Sequence, residues 1–204
     1  ASLTLCGSVE LSSGAIASLA REGTDTVFLT KGGRFRARLQ SRLAPDASLR
    51  TRQLEMFNSK DFSMAMAKGM VGAKVEHQRR IILRAQRQWK CPAVAADLTR
   101  LRVITSLIMK ADLPENLLGR EGEAAAIYFR HFGRLIKEPA MAFRGRSRRP
   151  PLDPPNACLS FGYTLLGSII ESDLLARGLD PFLGVFHAPR HGRKSLALDI
   201  LEEF

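Results

Sequence analysis

The sequence predicts an α+β protein, in which a small β-rich N-terminal domain precedes a larger all-helical one. Residues 2–6 and 34–39 alternate apolar with polar or basic side chains at a period of two, as half-buried strands do. From about residue 47 to the end the apolar period lengthens to three and four, the spacing of one helix face. The 204 residues, 45% hydrophobic and 25% charged, are enough for a substantial core and too apolar for a disordered chain.

Ser2-Leu3-Thr4-Leu5-Cys6 reads as a strand with Leu3 and Leu5 on one face. Ser12-Ser13 caps a short helix whose Ile16, Leu19 and Ala20 form the expected buried stripe, and Gly23 stops it. Thr26–Thr30 is a strand by composition, and Lys31-Gly32-Gly33 is a turn. In Arg34-Phe35-Arg36-Ala37-Arg38-Leu39 three arginines share one face, either as a basic surface or as the charge that blunts an edge strand. The boundary is expected near residues 42–48, giving a partial β-rich domain over 1–45 and a helical domain over 46–204.

Helices are expected over 50–58 and 61–89. In the second, Phe62, Met66, Met70, Ala73, His77 and Ile81 are spaced for the buried face, with Lys74, Arg79, Arg80, Arg84 and Arg87 on or near the other side. A third covers 94–110 around Leu98, Leu101, Ile104, Leu107 and Ile108, and Pro114 opens a fourth over 114–136. Arg144–Pro151 is a basic, proline-broken loop. Pro154-Pro155-Asn156 starts a helix that runs to about Arg177, residues 181–193 are irregular, and Ser195 onward is helical. The chain begins inside an alternating segment and ends inside an amphipathic run, so it reads as an internal piece of a longer protein.

Charge and composition narrow the function. The net charge is +11 and the pI about 10.3. Residues 1–150 hold 27 basic and 13 acidic side chains, and residues 151–204 hold 4 and 7. A basic body with a carboxylate-rich end suits attraction of a polyanion, nucleic acid above all, followed by chemistry upon it; a solvated basic surface is the plainer alternative. No run of 18 apolar residues exists to span a membrane, and charges interrupt anything resembling a signal peptide. Cys6, Cys91 and Cys158 are odd in number and form no CxxC pair, which argues against a disulfide scaffold or structural zinc and fits a reducing cytoplasm.

Glu121 lies three or four residues from Leu117, Leu118, Ala124 and Ala125, so it points inward. A carboxylate in that position is costly unless it is paired or bound to a metal. Glu123, about 200° further round the helix, should face solvent. His187 ends the short apolar run Gly184-Val185-Phe186. Asp199 and Glu202 share one helix face at i, i+3, beside Leu198 and Leu201. Two carboxylates twelve and fifteen residues beyond a histidine suit Mg²⁺ or Mn²⁺; they equally suit an acidic helix turn answering the helix dipole. His77, His131 and His191 lack such company and read as structural or surface residues, and Tyr163 reads as a packing residue.

Four ordered segments then carry a resemblance. They are Leu118-Gly119-Arg120-Glu121-Gly122-Glu123-Ala124-Ala125, Arg149 through Tyr163 (RPPLDPPNACLSFGY), Gly178 through His187 (GLDPFLGVFH) and Ser195 through Phe204 (SLALDILEEF). In these the chain resembles the CRISPR-associated adaptation endonucleases, the first-numbered Cas protein family, which integrates new spacers. Val9–Ile16, Val27–Leu29 and Gly33–Phe35 are similar to that family's β-rich domain more loosely.

The resemblance implies a metal-dependent DNA endonuclease and integrase of prokaryotic antiviral defence. It places metal ligands at Glu121, His187 and Glu202, and an accessory acidic catalytic residue at Asp199. It implies Mg²⁺ or Mn²⁺ as cofactor, DNA that is duplex, branched or ends in a 3′-hydroxyl as substrate, a homodimer, and a small adaptation partner protein. Arg79, Arg80, Arg84, Arg120, Arg146, Arg148, Arg190, Arg193 and Lys194 are the candidate contacts to the DNA backbone, on account of charge and proximity. The competing expectation is a basic nucleic-acid-binding module without catalysis.

Overall fold

The computed structural model describes residues 2–33, 35–39, 47–89, 92–187 and 190–204, with only the backbone described at 87–89 and 92. Strand β1 (Ser2–Cys6) leads through helix α1 (Ser13–Arg21) to β2 (Asp25–Leu29), which pairs parallel with β1. Strand β3 (Phe35–Leu39) returns antiparallel along the other side of β2, giving the order β1-β2-β3. Helices α2 (Ala47–Asn58), α3 (Lys60–Trp89), α4 (Pro92–Met109), α5 (Pro114–Phe132), α6 (Pro154–Ala176) and α7 (Ser195–Leu201) follow. Among the described residues no helix is long and apolar enough to cross a membrane. The expected boundary at 42–48 lies mostly outside the described residues, as do Arg34 and the side chain of Arg87.

Local chemistry explains the helix starts. Ser12 accepts a hydrogen bond from the Ala15 amide at the head of α1, and Asp153 accepts one from the Asn156 amide at the head of α6. Prolines at the first turns of α5 and α6 sit where a missing N–H costs nothing.

The main core joins α3, α4 and α5 through Val71, Val75, Ile82, Val94, Leu101, Ile104, Ile108, Leu117 and Ala124. A second cluster packs α6 on α7 through Ile170, Leu174, Leu196 and Ala197, with Phe57 of α2 against it. The α4 stripe is as the spacing predicts at Leu98, Leu101, Ile104 and Ile108, with Leu107 half-buried. The α3 stripe is not. Of the six residues expected inward only Met70 is fully buried, and His77 and Ile81 are exposed. The buried set is Ala67, Met70, Val71, Val75, Gln78 and Ile82, about one position further along. Two faces of α3 carry apolar residues at helical spacing, and the β-branched Val71, Val75 and Ile82 win the contact with α4 and α5.

Two further expectations are corrected. Ile16 and Leu118 are exposed rather than buried, since α1 meets the sheet at few points and α5 turns Leu117 and Ala124 inward instead. Arg38 is not part of an exposed basic face. Its side chain is nearly covered, 2.6 Å from Asp25 and 3.9 Å from Glu171 of α6. Glu171 in turn pairs with Lys194 at 2.6 Å, so an ionic chain ties the sheet through α6 to the residue just ahead of α7.

Candidate functional site

The site lies where α3, α5, α7 and the 184–187 segment meet. Lys74 of α3 donates to Glu121 Oε1 of α5 at 2.5 Å, and the same ammonium donates to Glu202 Oε2 at the end of α7. The three side chains are mostly but not wholly covered, 14%, 22% and 20% exposed respectively. Burial alone would lower the Lys74 pKa, but Glu202 and Glu121 together outweigh it and hold the ammonium above its ordinary value. His187 completes the group, with Nε2 3.8 Å from Glu202 Oε1. That separation is too long for a hydrogen bond.

His187 is held from behind. Its Nδ1 lies 2.7 Å from Asp199 Oδ1, which also accepts the His187 amide at 2.9 Å. Asp199 Oδ2 accepts the amides of Val185 and Phe186 at 2.6 and 3.1 Å. The carboxylate is fully buried, and these donors surround both its oxygens. With Nδ1 as donor, the imidazole turns its Nε2 lone pair toward Glu202. This tight wrap needs Gly184. A Cβ there would stand 2.5 Å from Ser195 Cβ and 2.7 Å from Asp199 Oδ2.

Of the sequence-derived residues, Glu121 and Glu202 therefore meet at Lys74 with His187 beside Glu202, and Asp199 sits behind the histidine, on the side away from Glu202. Among the described residues no three His, Cys, Asp or Glu side chains form a ready cage for a metal ion, because the point on which the two glutamates converge is filled by Lys74. The donor set nonetheless fits a hard cation. Two donors about 2.1 Å from one ion stand between about 3.0 Å and about 4.2 Å apart, and the His187–Glu202 separation of 3.8 Å falls in that range. The sequence names Lys74 only among the basic residues of its helix and Gly184 only in the run before His187, and places neither at the site. A lysine four residues before a Gln-Arg-Arg run reads as one more surface cation, and only the packing of α3 against α5 reveals its partners.

The basic candidates divide by partner. Arg79 lies 2.7 Å and Arg80 2.8 Å from Glu76, whose pKa these hydrogen bonds, Arg79's foremost, bring down to about 2 against some opposition from burial. Arg120 lies 3.5 Å from Glu123, which also pairs with Arg100 at 2.6 Å instead of standing free in solvent. Lys194 faces Glu171 and covers the Phe35 ring at 4.4 Å. Arg146 donates to Ser147 O and Asn156 Oδ1 and lies 5.9 Å from the Tyr163 ring centroid. Asn156 is fully buried and also binds Gly145 O and the Ser147 amide, so it fixes the shape of the basic loop. Arg84, Arg148 and Arg190 are exposed, and Arg193 is half-buried.

Comparison with known proteins agrees with this architecture. The family model "CRISPR associated protein Cas1" matches residues 1–204. A CRISPR-associated endonuclease Cas1 of Rhodospirillum rubrum is 39% identical over 212 residues, covering 99% of this chain and 61% of that relative. The structure of a Cas1 protein from Thermotoga maritima superimposes with a TM-score of 0.80 at 24% identity, covering 100% of this chain and 63% of the other. A chain of a Cas6-RT-Cas1–Cas2 complex gives a TM-score of 0.80 at 27% identity over 99% of this chain and 22% of its own length. The chain thus spans about three fifths of the length of the relative it matches from R. rubrum, with the same fold as the T. maritima protein across its whole extent. The α+β arrangement, the four sequence segments and the match from end to end lead to one conclusion: this chain belongs to the Cas1 family of CRISPR-associated proteins.

Proposed function

We propose that this chain forms the catalytic part of a metal-dependent DNA endonuclease and integrase acting in CRISPR spacer acquisition in the bacterial cytoplasm. The observation that carries the reading is the convergence of Glu121 and Glu202, from helices far apart in sequence, on a single cation beside the Nε2 of an oriented histidine. Carboxylates do not gather at a mostly covered point without a positive charge to hold there.

In this reading Glu121, Glu202 and His187 hold one Mg²⁺ or Mn²⁺. Bound there, the ion supplies Lewis-acid polarisation of the scissile phosphate. The rest belongs to the protein. Asp199 selects the His187 tautomer and fixes the ring, a positioning role distinct from the accessory catalytic one the resemblance implies. Arg190 and Arg193, just beyond His187 in sequence, clamp the phosphates that flank the reacting one. Arg84 and Arg148 carry the backbone further out, while Arg79, Arg80, Arg120, Arg146 and Lys194 act first on their protein partners. The nucleophile is a DNA 3′-hydroxyl in integration and water in hydrolysis. The solved Cas6-RT-Cas1–Cas2 complex and a solved Cas1–DNA complex, to which this chain is similar, support DNA as substrate and a small adaptation partner, and a homodimer joined by that partner completes the assembly.

The test uses Glu121→Ala in the intact protein. Cleavage and strand transfer in Mn²⁺ fall by at least about a hundredfold, while DNA affinity at physiological salt stays within a few-fold of the parent. A folded Glu121→Ala protein with full activity would show that the chemistry lies elsewhere. A parent protein that binds DNA but takes up no Mn²⁺ in a His187-dependent manner would return the basic, non-catalytic module.

A further inference from the structure

We propose that Lys74 is the resident counter-ion of the Glu121–Glu202 pair: it holds the two carboxylates together in the unloaded protein, gives way when a divalent cation takes them, and then pairs with a phosphate of the bound strand. This inference rests on the metal-centre reading above.

Two carboxylates brought to one point repel unless a positive charge lies between them. Here that charge comes from α3, part of the main core, so the two glutamates are gathered before any ion arrives. The ammonium occupies the oxygens that a divalent ion would use. An ion of twice the charge, approaching carboxylate oxygens to about 2.1 Å, outcompetes a single ammonium at hydrogen-bond distance. Its apparent affinity is reduced by the fraction of molecules in which the lysine is still in place.

The side chain suits release. A lysine is a point charge on a flexible four-carbon stem with three rotatable donors, whereas an arginine fork would fix a carboxylate bidentately. Among the described residues its ion pairs are to these two glutamates alone. Once they turn to the cation, a mostly covered ammonium needs another anion. The anion that arrives with the substrate is a DNA phosphate, which lysine binds well as a point charge.

The experiment compares the intact protein with Lys74→Met and Lys74→Arg. Mn²⁺ binding is followed by the spin-resonance signal of free Mn²⁺, and strand cleavage is measured at saturating Mn²⁺. Lys74→Met is expected to bind Mn²⁺ about tenfold more tightly and yet to cleave about tenfold more slowly, since the phosphate contact is gone. Lys74→Arg binds no more tightly than the parent. Equal or weaker Mn²⁺ binding by folded Lys74→Met, with the parent binding normally, overturns the counter-ion role and leaves the metal centre standing. Tighter binding with undiminished cleavage overturns the phosphate contact. Absence of His187-dependent Mn²⁺ binding in the parent overturns the metal centre and this inference together. Should Lys74→Met fail to fold, Lys74→Gln, which keeps a hydrogen-bond donor for the carboxylates, serves in the same comparison with the same readings.

Discussion

At the scale of single residues, Asp199 shows how much one buried carboxylate can organise. Three consecutive amides and the Nδ1 of His187 all point at it. An asparagine of the same shape offers one acceptor oxygen and sets an NH₂ against at least one of those donors. Each donor left unpaired costs about 1–3 kcal/mol. Asp199→Asn should therefore lower stability by about 2–3 kcal/mol and weaken Mn²⁺ binding by about 10–100-fold, read by thermal melting and by Mn²⁺ titration. A variant equal to the parent in both would mean that His187 is not held from this side. Part of the site was legible at this scale. Glu121 points inward as its spacing from Leu117 and Ala124 requires, and the i, i+3 placement of Asp199 and Glu202 puts both near His187. Their division of labour was not legible, because spacing alone cannot tell which carboxylate meets backbone amides and which meets a cation. Nor was Lys74, whose partners lie 47 and 128 residues away.

At the scale of elements, α3 carries the most. It supplies the core, the site lysine and the Glu76 cluster, each from a different side. Glu76 is the titratable group to test. Its folded pKa of about 2 lies below the ordinary 4.5. The stabilisation it gives is present above pH 4.5 and is lost as pH falls toward 2. Because the group is on the surface and its partners are three and four residues away, the effect is below about 1 kcal/mol. Glu76→Gln should melt slightly below the parent at neutral pH, and the two should converge near pH 2; a gap that persists or widens in acid would contradict the assignment. The order and type of the helices were readable from period and punctuation, down to the prolines that open α5 and α6. The buried face of α3 was not, because apolar residues mark two of its faces and only the neighbouring helices decide between them. Arg38 was misjudged for a related reason, since Glu171, which covers it, lies on a helix 133 residues further along the chain.

At the scale of the whole molecule, a net charge of +11 overstates the charge free to meet DNA. Arg38, Arg79, Arg120 and Lys194 already face carboxylates. Exposed arginines such as Arg84, Arg148 and Arg190 remain for phosphates. About four phosphate contacts would reduce affinity about a hundredfold between about 50 and 200 mM salt. Replacing Arg84 and Arg148 together should flatten that dependence, whereas replacing Arg38 should leave it unchanged; a flat dependence in the parent would remove the electrostatic account of DNA binding.

In the proposed reading, Glu121, Glu202 and His187 form one metal centre in a site that Lys74 fills beforehand. Anomalous scattering from crystals soaked in Mn²⁺ tests it most directly. A single peak is expected, bordered by those three side chains, with His187 Nε2 toward the ion, Asp199 still behind the ring and Lys74 turned away. Crystals with no peak there, or with the ion elsewhere and Lys74 still between the two glutamates, would contradict it.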